Sequence, residues 1–230
     1  MDLFHRSQET PQRTLKWLKP FDTRMDEITR LSDKAESCPK EMKKVFLSAW
    51  QELASQIKMH QRLAATIVET ALPLKVYYNL VLNTDMGGGT VDFLIISDEY
   101  IIVVMVKKTE HFEWDRYDTR FCQAPSGVDI RSVENAAGLV SEWLLDARAL
   151  PKKDLIRVVP LLIDDEAPEE CGKKFPTGRS VLFPDIRPTM TVSAEHFGEW
   201  LQTNCAVYDS RGLTDKKQNR IVEALDKMPR

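Results

Sequence analysis

Cysteine is sparse and scattered in this chain of 230 residues: Cys38, Cys122, Cys171 and Cys205 share no C-x-x-C or Cys/His spacing. That distribution argues against a zinc site and against a disulfide framework. Free thiols fit a reducing compartment, so a cytoplasmic location is expected. Long apolar runs are missing too. No stretch approaches the roughly 20 residues that cross a bilayer, and the start, MDLFHRSQET, has no basic segment leading into an apolar one. No membrane partner is therefore expected. Charge of one sign is also lacking: the net charge is -3, so a polyanion would have to be met by a local basic patch. Glycine is scarce, and three of the nine stand together at Gly87, Gly88 and Gly89.

What the chain has is apolar content, 43% of its residues, enough for a full core. Its periodicity divides it into a helical extension over 1–58, an α/β core over 59–165 and a strand-helix-helix extension over 166–230. In the first part, Phe21 to Glu36 and Pro39 to Ile57 read as helices broken at Cys38-Pro39. The second carries Met42, Val45, Phe46, Ala49, Leu53 and Ile57 on one stripe. In the core, Gln61 to Leu72 is a helix halted by Pro73, Leu74 to Leu82 a strand, Val133 to Ala149 a helix and Leu155 to Ile163 a buried strand. The tail reads as a strand over Arg179 to Phe183, a helix over Ser193 to Thr203 and a last helix capped by Thr214.

The most informative stretch is Gly88 to Lys107, GGTVDFLIISDEYIIVVMVK. Two apolar runs, Phe93 to Ile96 and Tyr100 to Val106, flank the polar turn Ser97-Asp98-Glu99, which predicts a tight β-hairpin. Asp92 sits on its first strand and Lys107 closes the second. Alternation sends Val103, Met105 and Lys107 to one face, and pairing can bring Asp92 near them. An aspartate within an apolar strand has to be paired or bound to something. One reading is an acid and a lysine placed to hold a divalent metal and polarise a phosphodiester. The other is an ordinary core hairpin with solvated lysines at its end.

On these residues the chain resembles the PD-(D/E)XK nuclease superfamily, in particular its nuclease-related (NERD) branch. That pattern has an aspartate on one strand and Glu-x-Lys on the next, within an α-β-β-β-α-β core. The resemblance covers roughly Met59 to Asp164 and implies a restriction-endonuclease-like α/β fold with a mixed sheet. By the same resemblance Asp92 would bind Mg²⁺ and Lys107 would position the attacking water or the phosphate. Met105 stands where the second acid is expected, and Gln61 where a helix glutamate often helps hold the metal. A thioether is a poor ligand for magnesium, which wants hard oxygens in octahedral array. Glu69, Glu110 or Glu113 could supply a displaced carboxylate, and a glutamate at 105 would restore the pair. His60 and His111 flank the site without a spacing that marks a general base.

Two function classes follow: a metal-dependent phosphodiesterase acting on nucleic acid, DNA ahead of RNA, or a nuclease-fold module that binds or regulates without cutting. Lys108, Lys152, Lys153 and Arg157, with Lys107, are the candidate basic patch. The aromatics Phe112, Trp114, Tyr117 and Phe121 beside it can stack on bases or pin the loop to the core. A homo-oligomer or protein partner would dock through the N-terminal helices. A third reading comes from Asp85 to Asp92, DMGGGTVD, which matches the phosphate-binding segment of actin-like ATPases. The 84 residues before it carry no first phosphate loop, so a hairpin connection is the competing expectation.

Overall fold

A computed structural model describes residues 14–22, 24–84, 87–107, 113–114, 122–123, 128–165, 167, 179–180, 182–206 and 212–229, with backbone alone at 113–114, 122–123 and 128–130. The elements run β1 (Lys16–Lys19), α1 (Met25–Ser37), α2 (Lys40–Glu69), β2 (Lys75–Thr84), β3 (Gly87–Ile96) and β4 (Ile101–Val106). Then follow the short pair β5 (Glu113–Trp114) and β6 (Cys122–Gln123), α3 (Val128–Asp146), a 3-10 turn (Lys152–Arg157), β7 (Val158–Ile163), β8 (Met190–Val192), α4 (Phe197–Cys205) and α5 (Asp215–Asp226). The chain is thus α/β.

One six-stranded mixed sheet, ordered β1-β2-β3-β4-β7-β8, forms the middle layer. β2, β3 and β4 make an antiparallel meander. β7 then joins β4 in parallel, with α3 as the crossover between them. The order α2-β2-β3-β4-α3-β7 is the α-β-β-β-α-β succession that the periodicity predicts. β4 and β7 are apolar at nearly every position because helices cover both faces of the sheet.

On one face α2 supplies Leu63, Ala64 and Ile67, and α4 supplies Phe197, Trp200 and Leu201, against Tyr78, Phe93, Val104 and Val106. On the other face α3, through Ala137, Val140 and Leu144, and α5, through Ile221 and Leu225, pack on Leu80, Leu82, Val91, Leu94 and Val103. Replacing one such leucine or isoleucine by alanine typically costs about 2–5 kcal/mol, so two such layers hold the sheet firmly.

Several boundaries differ from the sequence reading, each for a local reason. α2 is a single helix of 30 residues that joins the Pro39 to Ile57 and Gln61 to Leu72 segments, since nothing in Ile57-Lys58-Met59 interrupts helical geometry. It ends at Glu69 because Ala71 turns left-handed, at φ 53, ahead of Pro73. The strand expected over Arg179 to Phe183 is absent among the described residues there, where Ser180 Oγ accepts the Leu182 and Phe183 amides in a turn. The outer strand is Met190–Val192 instead. The Leu155 to Ile163 segment begins as a 3-10 turn and extends only from Val158. The triple glycine lies inside β3, with Gly88 and Gly89 paired to Asn83 and Leu82.

Candidate functional site

The alternation of side chains along β2 and β3 is reset at one level. Tyr78 and Phe93 face α2, yet two residues away Leu80 and Val91 both face α3, although the ladder matches Tyr78 with Phe93 and Leu80 with Val91. Asn79 lies between them with a left-handed backbone, φ 49. Asparagine is one of the few residues that tolerates this conformation. Its effect is to let Asp92, opposite Asn79 by register, turn its carboxylate to the α2 face.

There Asp92 finds two partners. Its Oδ2 accepts the Val106 amide at 2.7 Å, beyond the last paired position of the β3–β4 ladder, Phe93 with Val104. Its Oδ1 lies 3.4 Å from His60 Nε2 on α2, off the alignment of a hydrogen bond, so that Nε2 is without one. His60 Nδ1 is 3.1 Å from the Tyr78 hydroxyl. In the tautomer with its proton on Nε2, the ring accepts the phenol at Nδ1, and Nε2 stands beside the carboxylate without a hydrogen bond to it. Edge-on contacts of His60 with the Tyr78 and Phe93 rings seal the group from water.

Burial sets the titration of all three side chains. It pushes Asp92 up to about 6 against the opposing pull of the Val106 amide, Lys107 and Arg24. It lowers His60 to about 4, with the Arg24 charge adding to the effect. It raises Tyr78 to about 12. At neutral pH the network is thus an aspartate, a neutral imidazole and a neutral phenol.

Val106 and Lys107 line a cleft of about 740 Å³ at the carboxyl ends of the parallel pair β4 and β7. Its other wall is α2, through Ser48, Gln51, Glu52, Ser55, Gln56 and Met59, with Asp165 at the rim. Crevices at the carboxyl ends of parallel strands are where open α/β sheets bind ligands. Asp165 is held by Arg62, at 3.3 Å. Asp92 and Lys107 thus both face α2, one behind the Val106 wall and one on the cleft.

The remaining expected site residues lie elsewhere. Met105 packs in the cluster with Val103 under α3 and α5, on the opposite face from the Asp92 carboxylate. The prediction that Val103, Met105 and Lys107 share a face with Asp92 is corrected by the reset at Asn79 and by Lys107 lying past the strand end. On β4 the positions facing α2 are Val104 and Val106, both apolar. Gln61 is exposed beside His60, and Glu69 is exposed in the last turn of α2, nine residues on and so about 14 Å along the axis. That is too far to share an ion with Asp92, since oxygens sharing one lie about 4–5 Å apart.

The described members of the basic patch, Lys107, Lys152, Lys153 and Arg157, do not assemble either. Lys152, Lys153 and Arg157 precede β7, whereas Lys107 follows β4, so the parallel pairing puts them at opposite ends of the sheet, with even Arg157 about 23 Å from Lys107 at 3.3 Å per residue. Lys152 is paired with Asp185 at 3.1 Å and Arg157 with Glu99 at 2.7 Å. Lys108, Glu110, His111, Phe112, Tyr117, Phe121 and the side chains of Glu113 and Trp114 lie outside the described residues, as do Asp85 and Met86.

Among the described residues no three His, Cys, Asp or Glu side chains gather to hold a metal ion. The described residues alone therefore assemble no magnesium site, and the Glu110 and Glu113 side chains lie outside them. Sequence reasoning missed the His60–Tyr78–Asp92 network because its members come from α2, β2 and β3. The signals available were Asp92 within an apolar strand and His60 on the apolar stripe of a helix. No helix among the described residues is long and apolar enough to cross a membrane. No protein-family model, curated protein or solved structure matches the chain.

Proposed function

We propose that this chain is a binding module on a nuclease-like α/β core, one that takes up nucleic acid without cutting it. The α-β-β-β-α-β order and the placement of Lys107 at the mouth of the cleft support the nuclease-like reading. The observation that carries the non-catalytic part is the state of Asp92: Oδ2 is engaged by the Val106 amide, and the neighbouring strand offers valines on that face. A carboxylate so placed has a structural task and, among the described residues, lacks a second acid to share a magnesium ion.

The cleft suits a single strand better than a duplex. Its α2 wall presents hydroxyls and amides, at Ser48, Gln51, Ser55 and Gln56, able to hydrogen-bond sugar, phosphate or base edges, and Lys107 supplies a point charge for one phosphate. With Glu52 and Asp165 nearby the electrostatic attraction is modest, so affinity should be weak and salt-sensitive.

The test is paired. Fluorescence anisotropy with labelled single- and double-stranded DNA and RNA should show binding that Lys107→Ala weakens several-fold. Incubation of the same oligonucleotides with Mg²⁺ or Mn²⁺ should leave them intact. Metal-dependent cutting that disappears in Asp92→Ala would replace this reading with an active phosphodiesterase. Absence of binding to every oligonucleotide would leave a protein-interaction module.

A further inference from the structure

The helical arm formed by α1 and the first half of α2 has almost no interior. Of the 13 residues of α1 only Ala35 is buried, and along α2 the first buried residue is Leu53. Isolated helices of this length are marginal in water, and packing of an apolar face supplies most of their stability. Here apolar side chains point outward instead: Met25 is 56% exposed, Met42 47%, Val45 58% and Leu47 42%. Such an arm calls for a covering surface.

Its charges say what that surface looks like. At the tip, the exposed run Lys40-Glu41-Met42-Lys43-Lys44 holds three lysines and one glutamate, net +2. At the base, Asp22, Arg24, Asp26 and Glu27 line a hollow of about 330 Å³ together with Met25 and Asn79. Arg24 is spent there on Glu27, at 2.6 Å, and three acids against one arginine make the base net -2. Tip and base are therefore opposite in sign, and each carries exposed methionine, Met42 at the tip and Met25 at the base.

We infer that the partner for this arm is a second copy of the same chain. The two arms lie antiparallel about a two-fold axis, so that the basic tip of each meets the acidic base of the other. A two-fold contact requires a self-complementary patch, and a basic end facing an acidic end along one arm provides it. The exposed Met42 and Val45 then bury against the region of Met25 on the partner, and four helices share the interior that two lack. The inference stands on the arm alone and is independent of the cleft's ligand.

Light scattering coupled to size exclusion over a concentration series tests it on the full chain. The expected result is a dimer that dissociates as salt is raised. Lys43→Glu with Lys44→Glu should give a monomer with unchanged helical circular dichroism. Adding Asp22→Lys and Asp26→Lys to that variant reverses both ends and should restore the dimer. A chain that stays monomeric at every concentration and low salt overturns the inference, as does a dimer indifferent to the tip reversal. Failure of the doubly reversed chain to dimerise while folded likewise overturns the antiparallel arrangement.

Discussion

Asp92 and His60 meet across the boundary between sheet and helix, with Nε2 3.4 Å from Oδ1, and burial moves their titrations in opposite senses. The two shifts have opposite consequences for stability. Folded Asp92 holds its proton up to about 6, against 3.8 ordinarily, so between these values the native state binds more protons and stability falls as pH rises. Folded His60 stays neutral down to about 4, against 6.5 ordinarily, so over that range the unfolded state binds more protons and stability rises with pH. From about pH 4 to 6 the two slopes cancel.

Removing one partner should expose the other. Asp92→Asn keeps an acceptor for the Val106 amide and leaves the histidine slope uncompensated. Stability of this variant should then climb relative to the parent from about pH 4 to 6, by up to ~1.4 kcal/mol per pH unit. His60→Asn should show the reverse, losing stability as pH rises from about 4 to 6. Urea midpoints measured across pH 4–7 decide the matter, and parallel profiles for parent and variants would show that the pair is not coupled to folding.

Met105→Glu is a direct probe of the face assignment. A glutamate there enters the layer between the sheet and α3 and α5, away from Asp92. We expect no metal-dependent nuclease activity and a loss of about 1–3 kcal/mol from burying part of a carboxylate without a partner. Gain of Mg²⁺-dependent plasmid cleavage would mean that residue 105 reaches the Asp92 side after all.

Beyond the apolar contacts of Ile221 and Leu225, one side chain and one glycine fix how α5 docks. Buried Gln218 Nε2 bonds Ser97 O at 3.3 Å, Asp98 Oδ1 at 2.6 Å and Leu213 O at 3.0 Å, fastening α5 to the β3–β4 turn. A Cβ on Gly212 would collide with the Asp98 carbonyl. Gln218→Ala should cost about 1–3 kcal/mol, and Gly212→Ala a comparable amount from overpacking. Thermal melts that match the parent in both variants would show that α5 is dispensable to the fold.

Mg-ATP should give no saturable heat in calorimetry. Gly88 and Gly89 are strand residues paired to Asn83 and Leu82, unlike a loop whose free amides cradle phosphates. A micromolar dissociation constant would restore the actin-like reading of Asp85 to Asp92.

The helices and strands were legible wherever a repeat of 3.6 or 2 ran over enough residues. The hairpin from Phe93 to Val106, the amphipathic α2 and α3, and the crossover to β7 all follow from local pattern, because burial of one face dictates the spacing of apolar residues. Short outer pieces were not legible. β1 is a four-residue strand that owes its conformation to pairing with β2, at Lys16 with Lys75 and Trp17 with Val76. β8, three residues long, likewise exists through β7.

The sequence by itself determined the order of elements, the polar turn at Ser97 to Glu99 and the need of Asp92 for a partner inside an apolar strand. Which partner it took was decided only in three dimensions. Strict alternation assigns Asp92 and Phe93 to opposite faces, and no rule of period two foresees a left-handed residue on the neighbouring strand. Asn79, at φ 49, resets both strands at once and turns the carboxylate to His60. Met105 is left on the far face, and the amide of Val106 takes one oxygen of the Asp92 carboxylate.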